Sequence, residues 1–164
     1  MIQYKIRLAL SLKRYCKEVV LIMIDIDLIM KLIDWNEVPE NQLRGIELAK
    51  EVKAINVFLQ PHDSYNNKNV WSNCAKILSE RDEIELRPYY AELLEWLQDL
   101  NWPGAAIVFT KLKKSISDSY FQMIYSDCKK KAKLLDDEIW LSNLQKLENS
   151  DDGDNKPIEW KVFK

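Results

Sequence analysis

The chain has 164 residues, which is enough for one domain that buries about 70% of the surface exposed by its unfolded form. Apolar residues make up 47% and charged residues 30%, while three glycines and five prolines are few for this length. This composition excludes a turn-rich β architecture and favours long helices. With a formal net charge of −2, the molecule as a whole is not attracted to nucleic acid or to an anionic membrane.

The first 24 residues contain basic residues followed by a short apolar run, residues 19–24. This run is far shorter than the roughly 20 residues that span a membrane, and Asp25 and Asp27 end it. No small-residue cleavage site follows, so we expect neither a membrane span nor a secretory signal. Residues 1–24 are predicted to be either a first helix or an extension, with Met1 and Met23 as alternative start sites.

Helical periodicity recurs along the rest of the chain, between helix start and stop signals. The first such helix begins at Pro39, and its predicted apolar stripe consists of Leu43, Ile46, Ala49, Val52 and Ile55. Further helices are predicted within residues 69–80, 88–100, 103–114, 117–135 and 136–147. From residue 148 to residue 164 the periodicity is lost, and we expect an acidic, flexible tail.

Four tryptophans stand at or just before the start of a predicted helix, at spacings of 36, 31 and 38 residues: Trp35, Trp71, Trp102 and Trp140. A period of about 30 to 40 residues with a helix pair in each unit is typical of α-solenoids. We therefore predict an all-α fold, a HEAT/armadillo-like α-α solenoid of about three to four helix pairs in one compact domain, residues 25–147. An irregular helical bundle is the alternative.

The sequence contains no compelling set of catalytic residues. Cys16, Cys74 and Cys128 are odd in number and far apart, so we expect buried thiols in a reducing cytoplasm. The single histidine, His62, stands in a polar loop, so neither a zinc site nor a histidine-activated nucleophile is predicted. No Gly-rich phosphate loop occurs. We expect no cofactor and no metal.

Two features could nevertheless form a binding surface. The stretch WLQDLNWPGA, residues 96–105, offers aromatic rings, a carboxylate and an amide, or it is a packed joint between two helices. We expect a buried joint, so that Trp102→Ala would cost about 3–5 kcal/mol. Lysines also cluster in residues 111–114 and 129–133, where they form a cationic patch if the two helices meet, and otherwise solubilise two outer faces or balance residues 136–138. The candidate surface is Trp96, Asp99, Asn101, Trp102, Lys111, Lys114 and Lys130.

Three segments carry a family resemblance: DWNEVPENQLRGIELAKEV, WSNCAKIL and ELLEWLQDLNWPGA. They resemble a group of uncharacterised bacterial helical proteins, the domain-of-unknown-function family numbered 5071. The resemblance covers about residues 25–147 and is strongest from Trp71 to Leu112. It implies a compact HEAT-like fold in a bacterial cytoplasmic protein, without an established activity.

Two functions follow as hypotheses. Because HEAT-like helices present a ridge to other proteins, we expect a non-catalytic protein-protein interaction module, adaptor or immunity-like, whose partner is another protein. The alternative is an enzyme acting on nucleic acid, similar to the HEAT-like alkylpurine DNA glycosylases. In that case Trp96, Asp99 and Trp102 would form the site and the lysines would contact the phosphate backbone. The net negative charge and the lack of an aligned motif weigh against this alternative.

Overall fold

The computed structural model describes residues 25–61 and 67–149, and every regular element within them is a helix. The α-helices are α1 (Ile26–Leu32), α2 (Pro39–Ala49), α3 (Trp71–Ser79), α4 (Glu83–Leu86), α5 (Tyr90–Glu95), α6 (Ala105–Lys113), α7 (Ser119–Leu134) and α8 (Glu138–Gln145). Short 3-10 helices lie at Ile55–Phe58, Lys68–Val70, Arg87–Tyr89 and Trp96–Gln98. The all-α class predicted from the sequence is therefore confirmed. None of the helices in these two ranges is long and apolar enough to cross a membrane.

Several sequence predictions fall on other parts of the chain. Residues 1–24, with Cys16 and the two possible start sites, lie outside the described residues, as do His62 and residues 150–164 of the predicted tail.

Aspartates determine where four of the α-helices begin. Asp25, Asp82, Asp118 and Asp137 each accept a hydrogen bond from the backbone N–H three residues later. This bond satisfies one of the N–H groups that have no partner within the first helical turn. The chain therefore enters α1, α4, α7 and α8 at points that the sequence specifies locally.

The apolar stripe predicted for α2 is wrong in part. Leu43 is 67% exposed, and the buried residues of α2 are Gly45 and Ala49. A Cβ atom at Gly45 would lie 2.6 Å from Ile33 Cγ2, so α2 approaches α1 at the glycine. Arg81 explains why α2 ends early: its guanidinium donates hydrogen bonds to the carbonyl oxygens of Ala49 (2.6 Å), Val52 (3.2 Å) and Lys50 (3.3 Å).

The core lies between packed helices and contains three fully buried tryptophans, Trp71, Trp96 and Trp140. Helix α3 packs on α2 and α6, α5 packs on α7, and α8 packs on α7 and on the 3-10 helix Trp96–Gln98. Cys74 and Cys128 are buried free thiols, as predicted, and burial raises the pKa of Cys74 to about 12 and that of Cys128 to about 11. Both cysteines remain protonated at neutral pH and act as small core residues.

An asparagine on α3 connects this helix to the end of α1. Asn73 Nδ2 donates a hydrogen bond of 2.7 Å to the carbonyl oxygen of Ile33, and Lys76 Nζ donates one of 3.0 Å to Asn73 Oδ1. We call this arrangement the first asparagine bridge. Both Asn73 and Ile33 are buried, so the bridge satisfies a carbonyl that water does not reach.

The same arrangement occurs on α8. Asn143 Nδ2 donates a hydrogen bond of 3.0 Å to the carbonyl oxygen of Leu97, and Lys146 Nζ donates one of 2.9 Å to Asn143 Oδ1. This is the second asparagine bridge. In both bridges a buried asparagine caps the end of an earlier helix, and a lysine three residues later holds the amide in place.

The turns that receive the two bridges are also alike. Asp34 Oδ1 accepts hydrogen bonds from the backbone N and the Nδ2 of Asn36, both at 2.9 Å. Asp99 Oδ1 accepts the same two bonds from Asn101, at 2.8 and 2.9 Å. Two parts of the chain are therefore similar to each other in these polar contacts: an asparagine bridge and the Asp–Asn turn that receives it.

The tryptophans do not follow this internal similarity. Trp35 is 50% exposed and Trp102 is partly buried in a turn, whereas Trp71 and Trp140 are buried within α3 and α8. The four tryptophans whose spacing suggested a repeat therefore do not occupy equivalent positions.

Removing either bridge should destabilise the fold. Asn73→Ala and Asn143→Ala should each lower the free energy of unfolding by about 1–3 kcal/mol, because each leaves a buried carbonyl oxygen without a hydrogen bond. Urea unfolding measures the change, with the exposed Asn149→Ala as the control. A loss no larger than that of the control would show that the bridges contribute nothing to stability.

Asp34 makes stability depend on pH. Burial raises the pKa of its carboxyl, but hydrogen bonds from Asn36, Asn67 and Asn69 outweigh that effect and hold the pKa below its usual value. A pKa lower in the folded than in the unfolded state stabilises the fold above the unfolded pKa, about 3.9, and this contribution is lost as pH falls through the folded pKa. The stability difference between the wild type and Asp34→Ala should therefore be constant above about pH 5 and narrow from there to about pH 2. Urea unfolding across that range measures it, and a constant difference would contradict this role.

Candidate functional site

The junction at residues 96–105 is mainly a packed joint. Trp96 is fully buried, and its Nε1 donates a hydrogen bond of 3.2 Å to the carbonyl oxygen of Pro103. Trp71 stands between Trp96 and Trp102 in edge-to-face contacts, with ring centroids 6.1 and 5.6 Å apart. Including Trp96 in a binding surface was therefore wrong, because its side chain does not reach the surface. Trp102 is only partly buried.

The polar residues of the junction shape the turn into α6. Asp99 accepts the two hydrogen bonds from Asn101, and its carbonyl oxygen accepts one of 3.0 Å from the backbone N–H of Trp102. Asn101 is exposed, but its amide is directed to Asp99. These contacts give both residues a structural role.

Gly104 brings α6 against α3. Its φ of 84° lies in the left-handed region, which favours glycine. A Cβ atom at this position would lie 2.6 Å from Ala75 Cβ and 2.9 Å from the carbonyl oxygen of Trp71. The close approach of these two helices determines the shape of the surface beside them.

A groove of about 440 Å³ lies along this helix pair, and we call it the α6 groove. One lining residue comes from α3 and the others from α6 and its C-terminal cap: Ser79, Ala106, Ile107, Thr110, Lys111 and Lys114. Its wall is mainly apolar, with the two lysines toward the C-terminal end of α6. Ser79 Oγ and Thr110 Oγ1 donate hydrogen bonds to backbone carbonyls of their own helices.

The lysines of the α6 groove have no acidic partner among the residues that the structure describes. Lys111 is partly buried, and its Nζ donates a hydrogen bond of 2.7 Å to the carbonyl oxygen of Arg81. Neither Lys111, Lys113 nor Lys114 forms an ion pair within residues 25–61 and 67–149. This end of α6 therefore carries positive charge that no described acidic residue compensates, beside an apolar surface.

Three lysines of α7, in contrast, form ion pairs with acidic side chains. Lys130 pairs with Asp127 at 2.9 Å, and Lys129 pairs with Glu148 at 2.7 Å, while Lys131 pairs with Glu95. Of the seven candidate surface residues, only Lys111 and Lys114 line the α6 groove, and Lys130 lies on another helix.

The sequence interpretation missed the apolar part of the groove. It named Lys111 and Lys114 as candidate surface residues, but not Ala106, Ile107 or Thr110. Positions 106, 110 and 114 recur every four residues, with 107 and 111 beside them, which is the spacing of one helix face. That pattern could have indicated the groove wall, whereas no local pattern brings Ser79 of α3 to it.

The α6 groove differs from a second cleft in the groups that line it. A second cleft of about 300 Å³ is lined by mixed charges and contains Arg81, whose guanidinium already caps α2. In the described residues, no group of three or more His, Cys, Asp or Glu side chains could hold a metal ion. Apolar contact and two ammonium groups are what the α6 groove offers a ligand.

The groove and the junction lie in one small all-helical unit, from α3 to α8. Residues 67–146 of this unit match the family described as Domain of unknown function (DUF5071). This is the family that the sequence resembles, so the resemblance is confirmed over residues 67–146, while residues 25–66 lie outside the match. No curated protein and no solved structure matches the chain.

Proposed function

We propose that this protein is a non-catalytic protein-protein interaction module, adaptor or immunity-like, that binds another protein chain through the α6 groove. The observation that carries the proposal is the combination of an apolar wall with lysines that no described acidic residue neutralises. Burial of apolar surface supplies affinity, and uncompensated charge orients a partner and excludes wrong ones. The free thiols Cys74 and Cys128 are consistent with our further proposal of a bacterial, cytoplasmic location.

We also propose a HEAT-like arrangement for the scaffold. The two asparagine bridges and their matching turns support two related helical units. Aligning Asn73 with Asn143 places Ala75 and Leu78, which face α6, opposite Gln145, the last residue of α8, and Glu148, which follows that helix. The face of α3 that packs on α6 is apolar, whereas the corresponding face of α8 is polar and exposed. Helix α8 therefore resembles the capping end of a helical array.

The nucleic-acid enzyme has less support from the geometry. Its proposed site needs Trp96, Asp99 and Trp102 on an open surface, but Trp96 is fully buried and Asp99 is bound to Asn101. The α7 lysines at 129–131 are paired with acids. Within the described residues, the free lysines of α6 therefore do not continue through positions 129–131 of α7 as one row of free cations for a phosphate backbone.

Photochemical crosslinking in the native host tests the proposed function. Thr110, exposed in the groove, is replaced by p-benzoylphenylalanine, and the exposed Lys133 of α7 is replaced in a matched control. We expect a discrete crosslinked product from position 110 and none from position 133, with its components identified by mass spectrometry. Absence of a product at position 110, or the same products at both positions, would contradict a docking role for the groove.

A further inference from the structure

We infer that one partner of the α6 groove is a second copy of this chain, which docks the corner between its α7 and α8 into the groove. This inference rests on the proposed function, because it uses the same groove. It joins two surfaces of the molecule that are complementary in charge and in apolar character.

The α7–α8 corner, residues 134–139, exposes three aliphatic side chains within six residues. Leu134 is 86% exposed, Leu135 62% and Ile139 69%. The structure places no described residue over them, although large exposed aliphatic groups in one place indicate an interaction site. The corner is short, because α7 ends at Leu134 and α8 begins at Glu138.

The corner also carries acidic charge without a counter-ion. Asp136, Asp137 and Glu138 follow Leu135 directly, and none of them forms an ion pair within the described ranges. Within a single copy of the chain, no described lysine of α6 or α7 therefore forms an ion pair with these acids, contrary to that expectation from the sequence. Asp137 Oδ1 accepts a hydrogen bond from the Trp140 N–H, whereas Asp136 and Glu138 are exposed.

The α6 groove has the opposite properties. Lys111 and Lys114 are one helical turn apart, so two carboxylates spaced along the corner can meet both ammonium groups. Lys111 Nζ uses one donor on the Arg81 carbonyl, and its other donors are available to a carboxylate. Ala106 and Ile107 provide the apolar wall for an aliphatic side chain of the corner, and the small alanine allows close approach.

The two surfaces share no residue, so a contact that uses one groove and one corner is heterologous. In such a pair one copy keeps a free groove and the other a free corner, so association either closes, with a reciprocal two-fold dimer as the smallest closed form, or continues as an open chain. An interface of this limited size is expected to be weak, so association should depend on concentration in the micromolar range or above.

Sedimentation of the full chain from about 10 to 500 μM tests the inference. The wild type should form dimers or larger species as the concentration rises. Lys114→Glu in the groove and Ile139→Asp in the corner should each weaken association by at least about tenfold, which corresponds to about 1.4 kcal/mol. Lys130→Glu, and Leu43→Asp at another exposed aliphatic residue, are the matched controls and should associate like the wild type.

Mixing the two defective variants gives the decisive result. Lys114→Glu retains an intact corner and Ile139→Asp an intact groove, so the mixture should form a one-to-one dimer and nothing larger. A wild type that stays monomeric, variants that associate normally, or a mixture without the heterodimer would each overturn the inference. Thermal melts confirm that both variants, which alter exposed positions, are folded.

The crosslinking at position 110 separates this inference from the proposed function. A product that contains two copies of the chain supports both. A product with a different protein, from a chain that is monomeric in sedimentation, supports the proposed function and overturns the self-association. No product at position 110 contradicts the groove as a docking site altogether.

Discussion

Trp71→Ala should lower the free energy of unfolding by about 3–5 kcal/mol, the range for truncating a buried tryptophan. Trp71 is 1% exposed and contacts Trp96 and Trp102 edge to face, so its removal opens a cavity where α3 meets α6. Trp102→Ala should cost less than Trp71→Ala, because the Trp102 ring is only partly buried. Urea unfolding of the two variants measures the difference. Equal losses would show that Trp102 contributes as much to the core as Trp71.

Trp→Phe substitutions separate the contribution of the indole N–H group to stability from that of the aromatic ring. Trp71 Nε1 has no hydrogen-bond partner among the described residues, whereas Trp140 Nε1 donates one of 3.0 Å to the carbonyl oxygen of Leu94. Trp140→Phe removes a buried hydrogen bond to that carbonyl, which keeps only the bond from the Trp96 backbone N–H, while Trp71→Phe removes a donor that was already unpaired. We therefore expect Trp140→Phe to be the more destabilising of the two by about 1–2 kcal/mol. The reverse order would mean that Trp71 Nε1 has a partner in solution.

Local patterns predicted the helical fold, because the signals for helix starts and for apolar periodicity each lie within a few neighbouring residues. Pro39 and Asp118 illustrate this, since the signal and the structural effect occupy the same turn. The stripe through Leu43 failed for a different reason. The direction of α2 depends on contact between Gly45 and α1, and its end depends on Arg81, 32 residues after Ala49. Such contacts between distant residues leave no periodic pattern.

The candidate site was predictable only in its charges. A run of lysines is visible in the sequence, but ion pairing decides which of them matter: Lys130 is neutralised by Asp127, whereas Lys114 is not paired with any described residue. The asparagine bridges were not predicted, because a polar residue within a helix usually indicates a solvated face. Asn73 and Asn143 are instead buried, and their partners are backbone carbonyls 40 and 46 residues earlier in the chain.

Gly104→Ala should destabilise the fold by about 2–4 kcal/mol, from two separate causes. The φ of 84° is strained for any residue with a Cβ atom, and that Cβ would lie 2.6 Å from Ala75 Cβ and 2.9 Å from the Trp71 carbonyl oxygen. Gly45→Ala is the matched comparison. Its Cβ would lie 2.6 Å from Ile33 Cγ2 and 2.9 Å from Leu32 Cβ, which is as close as the contacts at Gly104, but its backbone has no positive φ, so it should cost less.

A double-mutant cycle divides the cost of Gly104→Ala between strain and collision. In an Ala75→Gly background the nearest colliding atom is absent, while the strained φ and the contact with the Trp71 carbonyl remain. We therefore expect Gly104→Ala to cost at least about 1 kcal/mol less in that background, with urea unfolding as the measurement. Strict additivity would show that the Ala75 contact is relieved without cost. Because α6 carries the groove, the part of the cost that is removed reports how firmly the contact with Ala75 of α3 determines the position of Lys111 and Lys114.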